Sequence, residues 1–180
     1  MRLKNVVKHF MLVTHHKWVV FKLCCKIGIP WRGLVHDLSK YSPTEFWESA
    51  KYYVGTHSPI KEARKHQGYS RAWLHHKGRN KHHIEYWVDE ALPERNLMMP
   101  YKYAAEMVCD KLAASIIYQG KKWTKEFELS YWENERDKIQ INPKLKDFIT
   151  AVMTEVAQNG VNETYTKENI KRLYKKYCES

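Results

Sequence analysis

His36-Asp37-Leu38-Ser39-Lys40-Tyr41-Ser42-Pro43-Thr44-Glu45 is the stretch on which the reading of the whole chain turns. A neutral imidazole beside a carboxylate suits a borderline divalent metal, and the carboxylate can also bridge to a second ion. Lys40 lies four residues after His36 and three after Asp37, so on a helix it stands one turn above both and reaches an anion held by the metal. Ser42 then reads as a helix N-cap, with Pro43 in the first turn and Glu45 closing a capping box. One helix carrying His36, Asp37 and Lys40 is thus expected to stop just past Lys40, and another to run to about Val54.

Upstream, apolar residues recur at helical spacing from about Lys4 to Ile27, and Gly28 with Pro30 ends the pattern. His16 falls on the apolar face of this helix among Leu12, Val13, Val19, Val20 and Leu23. A core histidine satisfied by a carbonyl is its plainer reading, and His15 is its rival as a ligand. Downstream, 55–68 is poor in apolar residues and reads as a loop and a short charged helix, either a flap over a site or a surface excursion.

Ser70 opens a helix that leads into His75-His76-Lys77-Gly78-Arg79-Asn80-Lys81-His82-His83. Four of the chain's 10 histidines fall in this one run. Charged, they would repel one another and the neighbouring Lys and Arg; neutral, they can share a cation. A basic loop that binds phosphate or nucleic acid without metal is the competing account. Asn80 is expected to cap a helix carrying His82 and His83, with Glu85 orienting one ring. A loop follows over 89–100. Tyr101 to Tyr118 reads as a core helix, apolar almost all round, in which Asp110 needs a salt-bridge partner or a metal. Three further helices are expected at about 124–136, 143–158 (Asn142 as cap) and 167–177 (Thr166 as cap). They hold no histidine and are assigned to packing, an interface or anion attraction.

The totals bound the class. A chain of 180 residues with 43% hydrophobic and 13% aromatic residues fits one packed domain. We divide it into 1–120, a metal-binding helical core, and 121–180, a helical extension packed on that core. The formal charge of +11 draws phosphate esters, nucleotides or nucleic acid. Cysteines at 24, 25, 109 and 178 form no C-x-x-C pair and read as reduced thiols of a cytoplasmic protein. The N-terminal apolar run is interrupted by charge, so neither a signal peptide nor a membrane span is expected.

Collected in order, His16, His36-Asp37 with Lys40, His76, His82-His83 and Asp110 resemble the HD-domain superfamily of metal-dependent phosphohydrolases, over roughly residues 4–119. More closely, His-Asp-Leu-Ser-Lys-Tyr-Ser-Pro-x-Glu-Phe and His-x-x-x-Asn-x-His-His-x-Glu-Tyr look like a family of bacterial and phage proteins with no assigned activity. The HD resemblance implies an all-α, HD-domain-like helical bundle with additional C-terminal helices. It also implies one or two divalent transition metal ions (Mn, Fe, Co, Ni or Zn) held by the His and Asp residues just named, with Lys40 contacting phosphate or leaving group. The expected activity is phosphomonoesterase or phosphodiesterase action on a nucleotide or small phosphate ester through metal-activated water. Asp37, Lys40 and Arg79 are the candidate catalytic residues, and Lys40, Lys77, Arg79 and Asn80 the candidate substrate contacts. The three-metal HD subgroup has a Glu where this chain has Leu12, and Gly-Tyr-Pro where it has Ile84-Glu85-Tyr86, so a third metal and a cyclic-dinucleotide substrate are not implied. A non-catalytic metal- or nucleotide-binding protein and a basic nucleic-acid-binding protein are the alternatives.

Overall fold

The computed structural model describes residues 3–92 and 94–179, so Pro93, within the expected 89–100 loop, lies outside the described residues. Helix α1 (Leu3–Lys26) ends where Gly28 takes a φ of 76°. Pro30 then starts a helix, α2 (Pro30–Val35), because its fixed φ suits the first turn, where its missing N–H costs nothing. This corrects the expectation of a helix over His36–Lys40: the helix lies earlier, in what reads as a connection, and stops at Val35. Gly33 makes the approach of α2 to α1 feasible, since a Cβ there would stand 2.8 Å from Phe21 Cα and 2.7 Å from Cys24 Cβ.

His36 is extended and Asp37 is left-handed, with φ 53° and ψ 27°. A 3-10 turn, Leu38–Tyr41, separates them from α3 (Pro43–Lys51), whose N-terminus Ser42 caps through the Glu45 amide. Next come α4 (Pro59–Gln67), closed by Gly68, and α5 (Arg71–Arg79), capped by Ser70 on the Trp73 amide. Asn80 ends α5 rather than starting a helix, and His82 and His83 lie in the turn before a 3-10 segment at Ile84–Trp87. The 89–100 region is irregular apart from one isolated antiparallel bridge between Val88 and Asn96.

Helix α6 (Tyr101–Gln119) is the centre of the molecule. Its alanines favour the helix and let neighbours approach, and Ala104, Val108, Leu112 and Ala113 are fully buried. Around it pack α1, α8 (Pro143–Asn159) and α10 (Lys167–Cys178), contributing Val20, Phe148, Val152 and Ile170 to one continuous apolar cluster. Helix α7 (Phe127–Glu135) starts a few residues later than expected, after a 3-10 turn at Gly120–Lys122, and a one-turn helix, α9 (Val161–Thr164), was not foreseen. Asn142 and Thr166 cap α8 and α10 as their sequences suggest. Tyr165 and Tyr174 tie the C-terminal helices to the core by donating to the carbonyls of Val108 and Met99, each at 2.8 Å.

The architecture is an all-α bundle, and the described residues form no strand. No helix among them is long and apolar enough to cross a membrane. All four cysteines are free thiols, with Cys24, Cys109 and Cys178 buried and Cys25 exposed.

Candidate metal centre

The candidate ligands reach one place from five segments of the chain. His16 projects from the buried face of α1, His36 and Asp37 from the break after α2, His76 from α5, His82 and His83 from the turn beyond it, and Asp110 from α6. The break is fixed from below by Lys17, whose ammonium donates to the carbonyls of Leu34 and, at 3.2 Å, His36. The left-handed turn at Asp37 frees its carboxylate from any helix face and turns it into the interior, where the residue is 1% exposed.

The seven side chains divide into two groups that share Asp37: His16, His36, Asp37 and Asp110 on one side, Asp37, His76, His82 and His83 on the other. Within each, one ligand atom per residue lies within 4.8 Å of every other. Asp37 Oδ2 faces His36 Nε2 at 3.3 Å, while Oδ1 faces His76 Nε2 at 3.3 Å and His82 Nε2 at 3.5 Å. Asp110 likewise spans the groups, with Oδ1 2.9 Å from His16 Nε2 and Oδ2 3.6 Å from His82 Nε2. Ligand atoms about 2.0–2.2 Å from one ion stand on the order of 3–3.6 Å from each other. Most of these separations have that spacing and are long for hydrogen bonds.

Three buried atoms make the same point. Asp37 Oδ1, His82 Nε2 and His83 Nε2 have no hydrogen-bond partner, a costly state for polar atoms away from water. The donor set of imidazoles and carboxylates without thiolate fits a borderline divalent ion.

A second layer of carboxylates sets the rings. Glu106, wholly buried on α6, accepts from His36 Nδ1 at 3.0 Å and lies 3.2 Å from His82 Nδ1 through the same oxygen; its other oxygen takes Arg32 Nε at 2.7 Å. Glu45 accepts from His76 Nδ1 at 2.7 Å and His75 Nδ1 at 2.6 Å. With Nδ1 engaged, His36 and His76 present Nε2 inward, the arrangement by which metal-binding histidines are oriented. Glu45 therefore serves the histidines and not the capping box, and Glu85 is exposed and does not take the orienting role expected of it.

The electrostatics follow. Burial disfavours charge on Asp37, yet His36, Lys40 and His76 outweigh it and hold its carboxyl well below the usual range. Burial also opposes ionisation of Asp110, which His16 and His36 keep low in the same way. Burial works against Glu106 too, but hydrogen bonds from His36 and His82 bring it down to about 2. Burial would depress His36, but Asp37, Asp110 and Glu106 raise it well above its ordinary value. His83 is pushed well below it by burial, then by His82 and His76, and burial lowers His16 as well.

His16 and not His15 is the inward residue: His15 is exposed. Lys40 pairs with Asp37 Oδ2 at 2.6 Å across the 3-10 turn and lines a cavity of about 230 Å³ together with His16, His76, His83 and Asp110. Lys77 and Arg79 do not line it. Helical positions rotate by about 100° per residue, so the turn that sends His76 inward carries Lys77 aside, while Arg79 sits over His75 and donates to its carbonyl. Asn80 is buried and donates to Ser39 Oγ at 2.7 Å and to the His76 carbonyl, so it fixes the ligands instead of facing the cavity. Sequence reasoning missed Glu106, Glu45, Arg32 and His9. Glu106 carried a legible signal, since it stands four residues before Asp110 on the same helix.

Residues 5–155 match a family model, a span that runs through both candidate metal groups and into α8. The chain belongs to DUF5662, a family of unknown function. No curated protein and no solved structure matches it. The DUF5662 match passes residue 120 without a break, as does the apolar core, which α6 shares with α8.

Proposed function

We propose that this DUF5662 protein is a metal-dependent phosphohydrolase of the HD type, acting on a nucleotide or similar small phosphate ester. The observation that carries the reading is the carboxylate of Asp37, whose two oxygens face two separate groups of histidines. One or two divalent ions of manganese, iron, cobalt, nickel or zinc, held by these groups, would make water nucleophilic at neutral pH and offset charge on a phosphoryl group.

The protein's own part is orientation and charge. Glu106 and Glu45 hold the imidazoles in one tautomer, so no ring has to turn when ligand arrives. Burial opposes the charge on Lys40, but Asp37 and Asp110 keep its pKa above the ordinary value, so a fixed cation stands at the cavity wall to receive a phosphoryl oxygen. A space of about 230 Å³ suits a small ester rather than a nucleic-acid strand.

Elemental analysis by plasma mass spectrometry on the wild type, His36→Ala and Asp110→Ala tests the centre, and phosphate release from a panel of phosphomonoesters and diesters tests the chemistry. Transition metal near stoichiometry, lost in both variants together with phosphate release, is expected. A protein that takes up no such metal even when supplied with it, or that hydrolyses nothing when loaded, overturns the reading.

A further inference from the structure

The cavity beside the metal centre has a second, polar end that the proposed chemistry does not use. On α1 its wall runs from His16 back through Val13 and Leu12 to His9, and on α6 from Asp110 forward through Ala114 and Ile117 to Tyr118. His16 and Asp110 meet at 2.9 Å, so the two helices leave that contact along the same cavity. Each wall begins with a candidate metal ligand, passes two turns of apolar side chains, and ends in an aromatic residue with a hydrogen-bonding atom. At 1.5 Å per residue, His9 lies about 10 Å along the helix from His16, and Tyr118 about 12 Å from Asp110.

His9 is an odd residue to find there. It is 4% exposed, its Nδ1 has no hydrogen-bond partner, and its ring is held by Phe46 and Tyr53 at centroid distances of 5.3 and 5.8 Å. A buried imidazole nitrogen without a partner costs stability unless something in the working protein supplies one. Burial, and then Lys40, lower its pKa to about 4, so near neutral pH it is uncharged and offers one donor and one acceptor.

We infer that His9, with Tyr118, recognises the far end of the substrate. The ligand class is a phosphomonoester whose organic part spans about two helical turns from the phosphorus, packs its middle on apolar walls and ends in a hydroxyl or an amide-like edge. Short esters such as glycerol 3-phosphate or phenyl phosphate leave that end untouched. This inference rests on the phosphohydrolase reading for its turnover test, but binding tests it independently.

The experiment compares wild type with His9→Phe, His9→Asn and Tyr118→Phe, all metal-loaded. Glycerol 3-phosphate and phenyl phosphate serve as short esters and the nucleoside 5′-monophosphates as long ones, with kcat and KM measured for each and binding followed by calorimetry. We expect His9→Phe to raise KM for long esters about tenfold with little change in kcat, to leave the short esters unaffected, and to be partly rescued in His9→Asn. Tyr118→Phe should raise KM for the long esters in the same way by a smaller factor. Equal effects on short and long esters, or no effect on either, overturn the inference. Wild type that hydrolyses and binds only short esters overturns it too while leaving the hydrolase reading intact. If nothing is hydrolysed but long esters bind and do so about tenfold more weakly to His9→Phe, the hydrolase reading fails and the assignment of His9 stands. Absence of long-ester binding in every form overturns the assignment.

Discussion

Asp37 holds two unusual positions at once: among the described residues it is the only non-glycine with positive φ, and it belongs both to the group of His16, His36 and Asp110 and to that of His76, His82 and His83. A left-handed backbone costs an ordinary residue about 1 kcal/mol and glycine almost nothing. The strain and the function can therefore be separated. Asp37→Ala and Asp37→Gly should both fail to retain metal, yet Asp37→Gly should be the more stable of the two by about 1 kcal/mol, as read from urea unfolding. Equal stability would mean that the turn is not strained. Glu106 offers a second separation. Glu106→Gln should weaken metal binding by roughly 10–100-fold, the range seen when a group that orients ligands is lost. Its pKa is depressed from 4.5 to about 2 on folding. The unfolded chain therefore takes up the proton first as pH falls: the carboxylate's contribution is complete above about 4.5 and drains away toward 2. Its full size is on the order of 3 kcal/mol. A stability profile of wild type against Glu106→Gln should converge across that window. A constant gap would sink the assignment of the shift to Glu106.

At the scale of elements, what the sequence made legible follows from the strength of local signals. Caps at Ser42, Ser70, Asn142 and Thr166 act within a few residues, and all appear as read. The break at 36–37 was not legible, because Pro30 can end one helix or begin the next and only packing decides. Here the decision rests on Gly33, which lets α2 lie against the backbone of α1. Gly33→Val should push the helices apart, cost about 2 kcal/mol or more, and lower metal affinity although it touches no ligand. Thermal melts with metal titration check both effects, and normal affinity would show that α2 does not set the position of His36. Glu45 reads as part of a capping box, and Glu106 passes unnoticed, for a related reason. A carboxylate in an apolar helix or after an N-cap has a local explanation, whereas its true partners lie 70 and 31 residues away. Lys77 and Arg79 are not among the residues lining the cavity, since proximity in sequence to His76 says nothing about which way a helix turns them.

For the whole molecule, the centre draws on segments from residue 16 to residue 110, so a bound ion must stabilise the assembled bundle and not a fragment of it. An ion present at about a hundred times its dissociation constant adds roughly 2.7 kcal/mol, which for a chain of this length raises Tm by about 5–10 °C. Chelation should lower the melting temperature by that amount and resupply should restore it, while His36→Ala should respond to neither. A chain that melts at the same temperature in all cases would place any metal outside the fold.

The two groups around Asp37 also differ in how much chain must be gathered to make them. His76, His82 and His83 come from a single short run, so closing that group costs little loop entropy, whereas His16, His36 and Asp110 meet only when α1 and α6 have docked. Loading should therefore be ordered in time. The histidine-rich turn can capture an ion while the chain is still folding, and the side built on α1 and α6 completes last and, when the bundle loosens, opens first.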